Sequence, residues 1–215
     1  PSIRFLPLRD KQVKPEVTAP PSRESTAALF YQSLEKPASK ITLASEWTLL
    51  IFTSIAYILV SILASILWHG KMYIDPFLFL GTGAAAMGLS AVHLGRKGRA
   101  YRAIFNLKSS WLSREIFLFS GFLGLTGLFF LAWHLNWVQG GQLRFLGWAA
   151  VVTGFLALFA IDRLYQLALH TGPVNFHSAH TFLNAFYLTG LLVGSVPLAV
   201  AFGLLKLGLY LYRKF

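Results

Sequence analysis

Cysteine is absent from this sequence of 215 residues, and charged residues are scarce. Without cysteine the chain itself can hold no disulfide, thiolate-bound iron–sulfur cluster or cysteine-ligated zinc. Any redox centre that it serves must therefore be a quinone, a haem or a group held by another subunit. Charged residues make up 13% of the sequence, about half of the ~25% that is usual in soluble proteins. This shortage of charge excludes an ordinary soluble domain.

Apolar residues fill the chain instead, at 55% of the sequence and a mean hydropathy of +0.58. They recur in uncharged runs close to the length of about 20 residues that a membrane-spanning helix needs. The sequence predicts an all-α fold, a polytopic transmembrane helix bundle of about five spans in the inner (cytoplasmic) membrane. The fifth run is predicted as one helix that kinks at Pro197, with Lys206 snorkelling to the membrane surface. The predicted runs are residues 47–68, 74–94, 116–133, 145–161 and 181–212.

Residues 1–45 differ from the rest of the chain because they are rich in proline, serine and charge. Such a composition cannot form a core of its own. We therefore expect an extended amino-terminal arm that docks a partner, followed by a transmembrane anchor domain over residues 46–215. The sequence begins at Pro1 and shows no secretory signal peptide. A processed chain, a missing start and the tail of a longer polypeptide all remain open.

Basic residues outnumber acidic ones by 19 to 8, giving a formal net charge of +11. They concentrate in the arm and in the second and fourth connections, so the positive-inside rule places the amino-terminal side in the cytoplasm. The carboxy-terminal Arg213 and Lys214 are expected on the opposite side. Because no aromatic-plus-basic recognition motif is present, we expect lipid head groups or a protein partner to meet these charges, and no nucleic acid.

The connection after the second run is the densest polar stretch of the chain. It opens with His93 at the end of one predicted span and closes with Glu115 at the start of the next. An imidazole and a carboxylate near a membrane surface are suited to taking two protons from a hydroquinone. The plainer interpretation is an interfacial histidine, and a glutamate that the helix dipole favours in a first turn.

Three motifs in this sequence resemble the dimethyl sulfoxide reductase membrane-anchor family (DmsC-like). The loop motif is His93-Leu94-Gly95, followed by Arg99-Ala100 and closed by Leu112-Ser113-Arg114-Glu115. Residues 46–53 open the first span and resemble the family's Glu-Trp-x-Leu-x-Ile-Phe-Thr pattern. Residues 163–173 resemble the family's Arg-x-Tyr…Pro element. Members of that family typically have more spans, and the tryptophan expected near Pro173 is replaced by Asn175-Phe176-His177.

The resemblance implies a membrane anchor that exchanges electrons between the quinone pool and an iron–sulfur subunit. That subunit and a molybdopterin (Mo or W) catalytic subunit would carry the iron–sulfur clusters and the molybdenum cofactor, while menaquinone or ubiquinone would bind here without covalent attachment. The concentration of basic residues on the amino-terminal side favours a complex that faces the cytoplasm. Sulfite:quinone oxidoreductases that use such an anchor are of this kind, and the function would then belong to anaerobic or sulfur respiration. The implied residues are His93 and Glu115 as acid/base pair, Arg99, Trp111 and Tyr165 at the quinone, and Arg4, Arg9, Arg96 and Arg102 for partner docking; no metal ligand is assigned.

Two other functions remain open at this stage. The first is a non-catalytic structural or assembly anchor, which the low number of predicted spans favours. The second is a haem-b electron carrier, in which His93 would pair with His177 or His180. The last two are three residues apart and could share a helix face. A transporter has less support, because no repeat pair or intramembrane charge in the sequence favours one.

Overall fold

The structure, a computed structural model, describes residues 47–92, 107–108, 110–168 and 180–214. For residues 91–92, 165–168 and 213–214 it describes the backbone alone. The predicted arm over residues 1–45 lies outside the described residues. Within the described ranges every regular element is a helix, which confirms the all-α prediction. The helices are α1 Trp47–His69, α2 Pro76–Val92, α3 Trp111–Leu135, α4 Gly141–Ala168, α5 Thr181–Val193 and α6 Val196–Lys214.

Three of these helices are long and apolar enough to cross a membrane, judged by length and composition. They are α1, α3 and the part of α4 from Gly141 to Leu164. Helices α2, α5 and α6 are also apolar but have shorter apolar segments. Helix α5 has 13 residues and is therefore only about 20 Å long, less than the ~30 Å thickness of the hydrocarbon core.

Helix α3 begins earlier than the apolar run predicts. Ser110 is its N-cap and accepts a hydrogen bond from the backbone N–H of Ser113. Serine is favoured at this position because it satisfies one of the N–H groups that a helix start leaves unpaired. Glu115 consequently lies in the second turn of α3, whereas the sequence interpretation placed it in a first turn.

Phenylalanine and small residues build the core between α1, α3 and α4. Phe52 of α1 meets Phe119 of α3 edge to face, with ring centroids 5.4 Å apart. A side chain at Gly154 of α4 would lie 2.7 Å from Val60 and 2.9 Å from Phe122. Glycine at this position therefore lets α4 approach both neighbouring helices closely.

The helices alternate in direction, so the starts of some helices lie beside the ends of others at each end of the bundle. The contact of Trp111 with Phe159 joins the start of α3 to the last third of α4. Asp162 of α4 in turn bonds Thr181 at the start of α5. We call this end of the bundle the Trp111 end. The other end contains His69 at the end of α1, whose Nε2 lies 3.1 Å from the Leu192 carbonyl of α5.

The fifth apolar run is not the single kinked helix that the sequence predicted. Helix α5 ends at Val193, and Gly194 takes a left-handed φ of 75° that lets the chain turn. Pro197 lies in the first turn of α6, where a proline without an N–H is tolerated. The Phe186–Phe202 stack and the close approach of Gly190 to Ala199 show that α5 and α6 form an antiparallel hairpin.

The hairpin also determines where the charged residues near the carboxy terminus lie. Lys206 is paired within the hairpin and toward the Trp111 end, because its Nζ donates to Oδ1 of Asn184 in the first turn of α5. Helix α6 then continues for two more turns toward the Trp111 end. The backbone of Arg213 and Lys214 therefore lies toward the same end of the bundle as the start of α1, not at the opposite one.

Candidate functional site

Glu115 is a buried carboxyl group near the Trp111 end. Its side chain is 2% exposed, although it lies in a helix that is apolar for most of its length. It is placed one turn before Phe119, on the face of α3 that packs against α1. Its Oε2 has no hydrogen-bond partner among the described residues. Burying such a group without a partner is unfavourable, so its presence requires an explanation beyond packing.

Ser113 is a second buried polar group close to Glu115. Its side chain is fully buried, and its Oγ also lacks a hydrogen-bond partner among the residues that the structure describes. In α1, the buried Thr48 lies one turn before Phe52, at the level of Glu115. Ser113 lies two residues before Glu115 and therefore on a different side of α3. Glu115 and Thr48 place polar side chains where α1 and α3 meet at this end, inside an otherwise aromatic core.

Trp111 lies one turn before Glu115 at the start of α3. Its ring meets Phe159 of α4 edge to face at 6.4 Å, and the guanidinium of Arg114 lies 4.4 Å from its ring centroid. Arg114 also donates hydrogen bonds of 2.8 Å to the carbonyls of Leu107 and Lys108. Arg114 thus fixes the end of the preceding connection and the orientation of the Trp111 ring.

Asp162 is the centre of a buried network that the sequence interpretation missed. Its Oδ1 accepts hydrogen bonds from the Thr181 backbone N–H at 2.9 Å and from the Thr181 hydroxyl at 2.7 Å. Its Oδ2 accepts from the Phe182 N–H at 3.0 Å and lies 3.1 Å from His180 Nδ1. A carboxylate only accepts, so the imidazole must carry its proton on Nδ1 in this contact. Asp162 therefore caps the positive end of α5 from another helix.

A sequence signal for Asp162 did exist. It follows the uncharged fourth run directly, and an acidic residue at the end of such a helix indicates a polar partner within the bundle. Its partners lie 18 to 20 residues further along the chain. Because hydropathy describes each run separately, it cannot show which later residues such a carboxylate meets.

The remaining predicted site residues are only partly described. Tyr165 lies in α4, three residues after Asp162, and only its backbone is described. Within the described ranges, no three histidine, aspartate or glutamate side chains come together as they would around a metal ion. The other predicted residues lie outside the described residues: His93, Arg99, Arg4, Arg9, Arg96 and Arg102.

Comparison with known proteins identifies the family. The sequence model described as "DMSO reductase anchor subunit (DmsC)" matches residues 44–207, well over half of the chain. The chain belongs to the DmsC family of membrane anchors. This confirms the family that the loop motif indicated, and with it a membrane protein. The matched region contains the six helices that the structure describes, except for the last turns of α6.

One curated relative of this DmsC-family chain is a sulfite dehydrogenase subunit from Allochromatium vinosum. The two are 32% identical over 103 residues, which are 48% of this chain and 31% of the relative. The match thus spans about a third of the relative's length. No solved structure gives a significant match to the chain.

Proposed function

We propose that this chain is the quinone-reactive anchor of a molybdopterin oxidoreductase complex. The observation that carries the proposal is the buried Glu115 carboxyl, whose Oε2 has no hydrogen-bond partner among the described residues. The start of α3 is also close to the end of α2, since Ser120 of α3 donates to Met87 of α2. In the sequence, His93 directly follows Val92, the last residue of α2.

Glu115 and His93 then form the acid/base pair of the reaction. Oxidation of a hydroquinone to a quinone releases two electrons and two protons, and a carboxylate and an imidazole can each accept a proton. In the reverse direction the same groups return protons to the quinone. Arg99 provides positive charge beside the reacting oxygens, and Trp111 and Tyr165 line the ring. The electrons pass to or from an iron–sulfur subunit, because this chain has no cysteine with which to hold a cluster.

The proposed complex is completed by a molybdopterin catalytic subunit, which performs the substrate chemistry. The name of the Allochromatium vinosum relative suggests sulfite as the substrate class. We propose the inner membrane as the location, with the Trp111 end on the cytoplasmic side. The basic residues support this orientation, since Arg114, Arg163 and the last turn of α6 lie toward that end, while Lys71 and Arg144 lie toward the other. Arg4, Arg9, Arg96 and Arg102 are proposed to dock the iron–sulfur subunit.

The first experiment is purification from gently solubilised membranes, with mass spectrometry and metal analysis of what accompanies the chain. Recovery of an iron–sulfur protein and a molybdopterin protein, with iron and molybdenum or tungsten, supports the anchor function. A haem band in a reduced-minus-oxidised spectrum would instead favour the electron-carrier alternative. Recovery without any redox protein would contradict the proposal.

The second experiment tests Glu115 in that complex. Glu115→Gln keeps the size of the side chain but removes its acid/base capacity, so we expect quinol turnover to fall by about 10²-fold or more. Turnover with a soluble dye that bypasses the quinone should not change. Asp75→Asn is the matched control, because Asp75 precedes α2 at the other end of the bundle and only caps that helix, accepting from the Leu78 N–H. Equal quinol turnover in both variants would favour a purely structural anchor.

A further inference from the structure

Lys206 places a cation inside the apolar hairpin of α5 and α6. Its Nζ donates to Oδ1 of Asn184, so the pair joins the two helices. Asn184 directly precedes Ala185, whose carbonyl accepts a hydrogen bond of 3.0 Å from Ser61 of α1. Ser61 is more than two helical turns from either end of α1. With α1 across the membrane, the Lys206–Asn184 pair therefore lies within the hydrocarbon layer.

A lysine at this depth needs a partner that the hairpin itself supplies only in part. Helices α5 and α6 contain no acidic residue, and within the described ranges Lys206 forms no ion pair with a carboxylate. An ammonium group has three N–H donors and no acceptor. Asn184 is the acceptor that the described residues provide, which leaves two donors on Lys206. Ionisable residues inside a membrane commonly mark the path or the site of a ligand.

An apolar groove runs along the hairpin beside this pair; we call it the hairpin groove. Its volume is about 470 Å³, within the range of about 300–1,000 Å³ that is usual for small-molecule sites. A Cβ added at Gly203 would lie 3.3 Å from Cε2 of Tyr187, so α5 and α6 meet closely there. Lys206 follows Gly203 by one turn and Asn184 precedes Tyr187 by one turn, so the polar pair lies at one end of the groove. The groove is open to the outside of the bundle, because four of its lining side chains are more than half exposed: Leu191, Val196, Val200 and Leu204.

The combination of an apolar groove and buried N–H donors restricts the kind of ligand that fits. A phospholipid places its phosphate in the head-group layer, which the depth of Lys206 puts out of reach. An isoprenoid quinone is dissolved in the hydrocarbon layer itself. Its ring carries two carbonyl oxygens that accept hydrogen bonds, and its tail is apolar.

We propose that the hairpin groove is a docking site for the quinone, which enters it directly from the lipid. One ring carbonyl accepts a hydrogen bond from Lys206, Asn184 holds the ammonium in place, and the isoprenoid tail lies along the groove. The site binds the quinone without making or breaking a bond. This inference deepens the proposed function and rests on it for the identity of the ligand.

The test uses the purified complex in detergent and a photoreactive azidoquinone with a short isoprenoid tail. Labelled residues are identified by mass spectrometry of peptides, and the Kd is taken from competition with unlabelled short-chain ubiquinone. Lys206→Met removes the donors but keeps an unbranched side chain, whereas Lys206→Arg keeps the charge and the donors. Leu204→Trp fills the groove while Lys206 stays intact. Lys71→Met is the matched control, because Lys71 is an exposed cation between α1 and α2, outside the hairpin.

We expect the label on α5 and α6, between Tyr187 and Leu204. Loss of a hydrogen bond from a charged donor should raise the Kd about tenfold in Lys206→Met, and Leu204→Trp should raise it by a similar factor. Lys206→Arg and Lys71→Met should stay within about threefold of the wild type.

Three results would each overturn the proposal. They are labelling outside the hairpin, an unchanged Kd in both Lys206→Met and Leu204→Trp, and displacement of the label by phospholipid as effectively as by ubiquinone. Quinol turnover of the wild-type complex separates this proposal from the proposed function. Turnover without a label on the hairpin refutes the groove alone, whereas a wild-type complex with neither turnover nor any label refutes both.

Discussion

Gly190 decides whether α5 and α6 can form their hairpin, and replacing it by alanine tests this directly. An added Cβ would lie 2.7 Å from the Ala199 backbone nitrogen, about 0.7 Å short of the 3.4 Å where ordinary contact begins. The next atoms, at 3.1 and 3.2 Å, are also backbone atoms of α6. No change of rotamer can relieve such a clash, so α6 must move away. That movement would separate the stacked rings of Phe186 and Phe202, whose centroids are 4.6 Å apart.

Gly208→Ala is the matched control because it lies in α6 with no atom within 4 Å of its added Cβ. Both substitutions gain about the same helix propensity, ~1 kcal/mol, so the difference between them isolates the overpacking. Overpacking of this kind costs about 1–3 kcal/mol. At about 2–4 °C per kcal/mol for a chain of this size, Gly190→Ala should unfold roughly 2–12 °C below Gly208→Ala. The measurement is thermal unfolding in detergent, followed by tryptophan fluorescence.

An equal or higher unfolding temperature for Gly190→Ala would refute the reasoning. It would mean that α6 does not lie against α5 at this point. The fifth apolar run would then be better described as the single kinked helix that the sequence suggested. Arg213 and Lys214 would then lie at the end of the bundle opposite to the Trp111 end.

Two further predictions concern stability and topology. Asp162→Ala leaves the Thr181 and Phe182 N–H groups and the His180 ring without their acceptor, so we expect a loss of about 3–5 kcal/mol, seen as a lower unfolding temperature than in Thr181→Val; a shift no larger than that of the control would contradict the cap. Because the chain has no cysteine, the single-cysteine variants Ser195→Cys and Lys214→Cys can be labelled with a membrane-impermeant maleimide, and each should react from a different face. Labelling of both from one face would contradict the antiparallel hairpin.

The apolar runs predicted the helices well because spanning a membrane depends mainly on length and composition. They did not predict the break after Val193, since Gly194 and Ser195 hardly lower the hydropathy of a long apolar run. A left-handed glycine between two helices that fold back on each other has no hydropathy signature. The start of α3 was predicted too late because Ser113 and Arg114 are polar residues within the first turns of an otherwise apolar helix.

The candidate site was predictable only in part. Glu115 could be singled out because its motif resembles that of a known family, and its burial then followed from the structure. The bonds of Asp162 to Thr181 and Phe182 could not be predicted, since they depend on how α4 and α5 pack against each other. The hydrogen bond of Lys206 could not be predicted for a similar reason, because its acceptor Asn184 belongs to the preceding helix of the hairpin.

The turn at Gly194 also affects how the membrane potential acts on the molecule. By reversing the chain it brings Arg213 and Lys214 toward the Trp111 end, so the last helix adds to the charge asymmetry of the bundle. With that end in the cytoplasm, as proposed, a potential of 100 mV, negative inside, favours each of these charges by about 2.3 kcal/mol. A straight fifth span would have placed them where the potential opposes them. Because of the turn, the membrane potential adds to the free energy that favours the proposed orientation of the anchor over the inverted one.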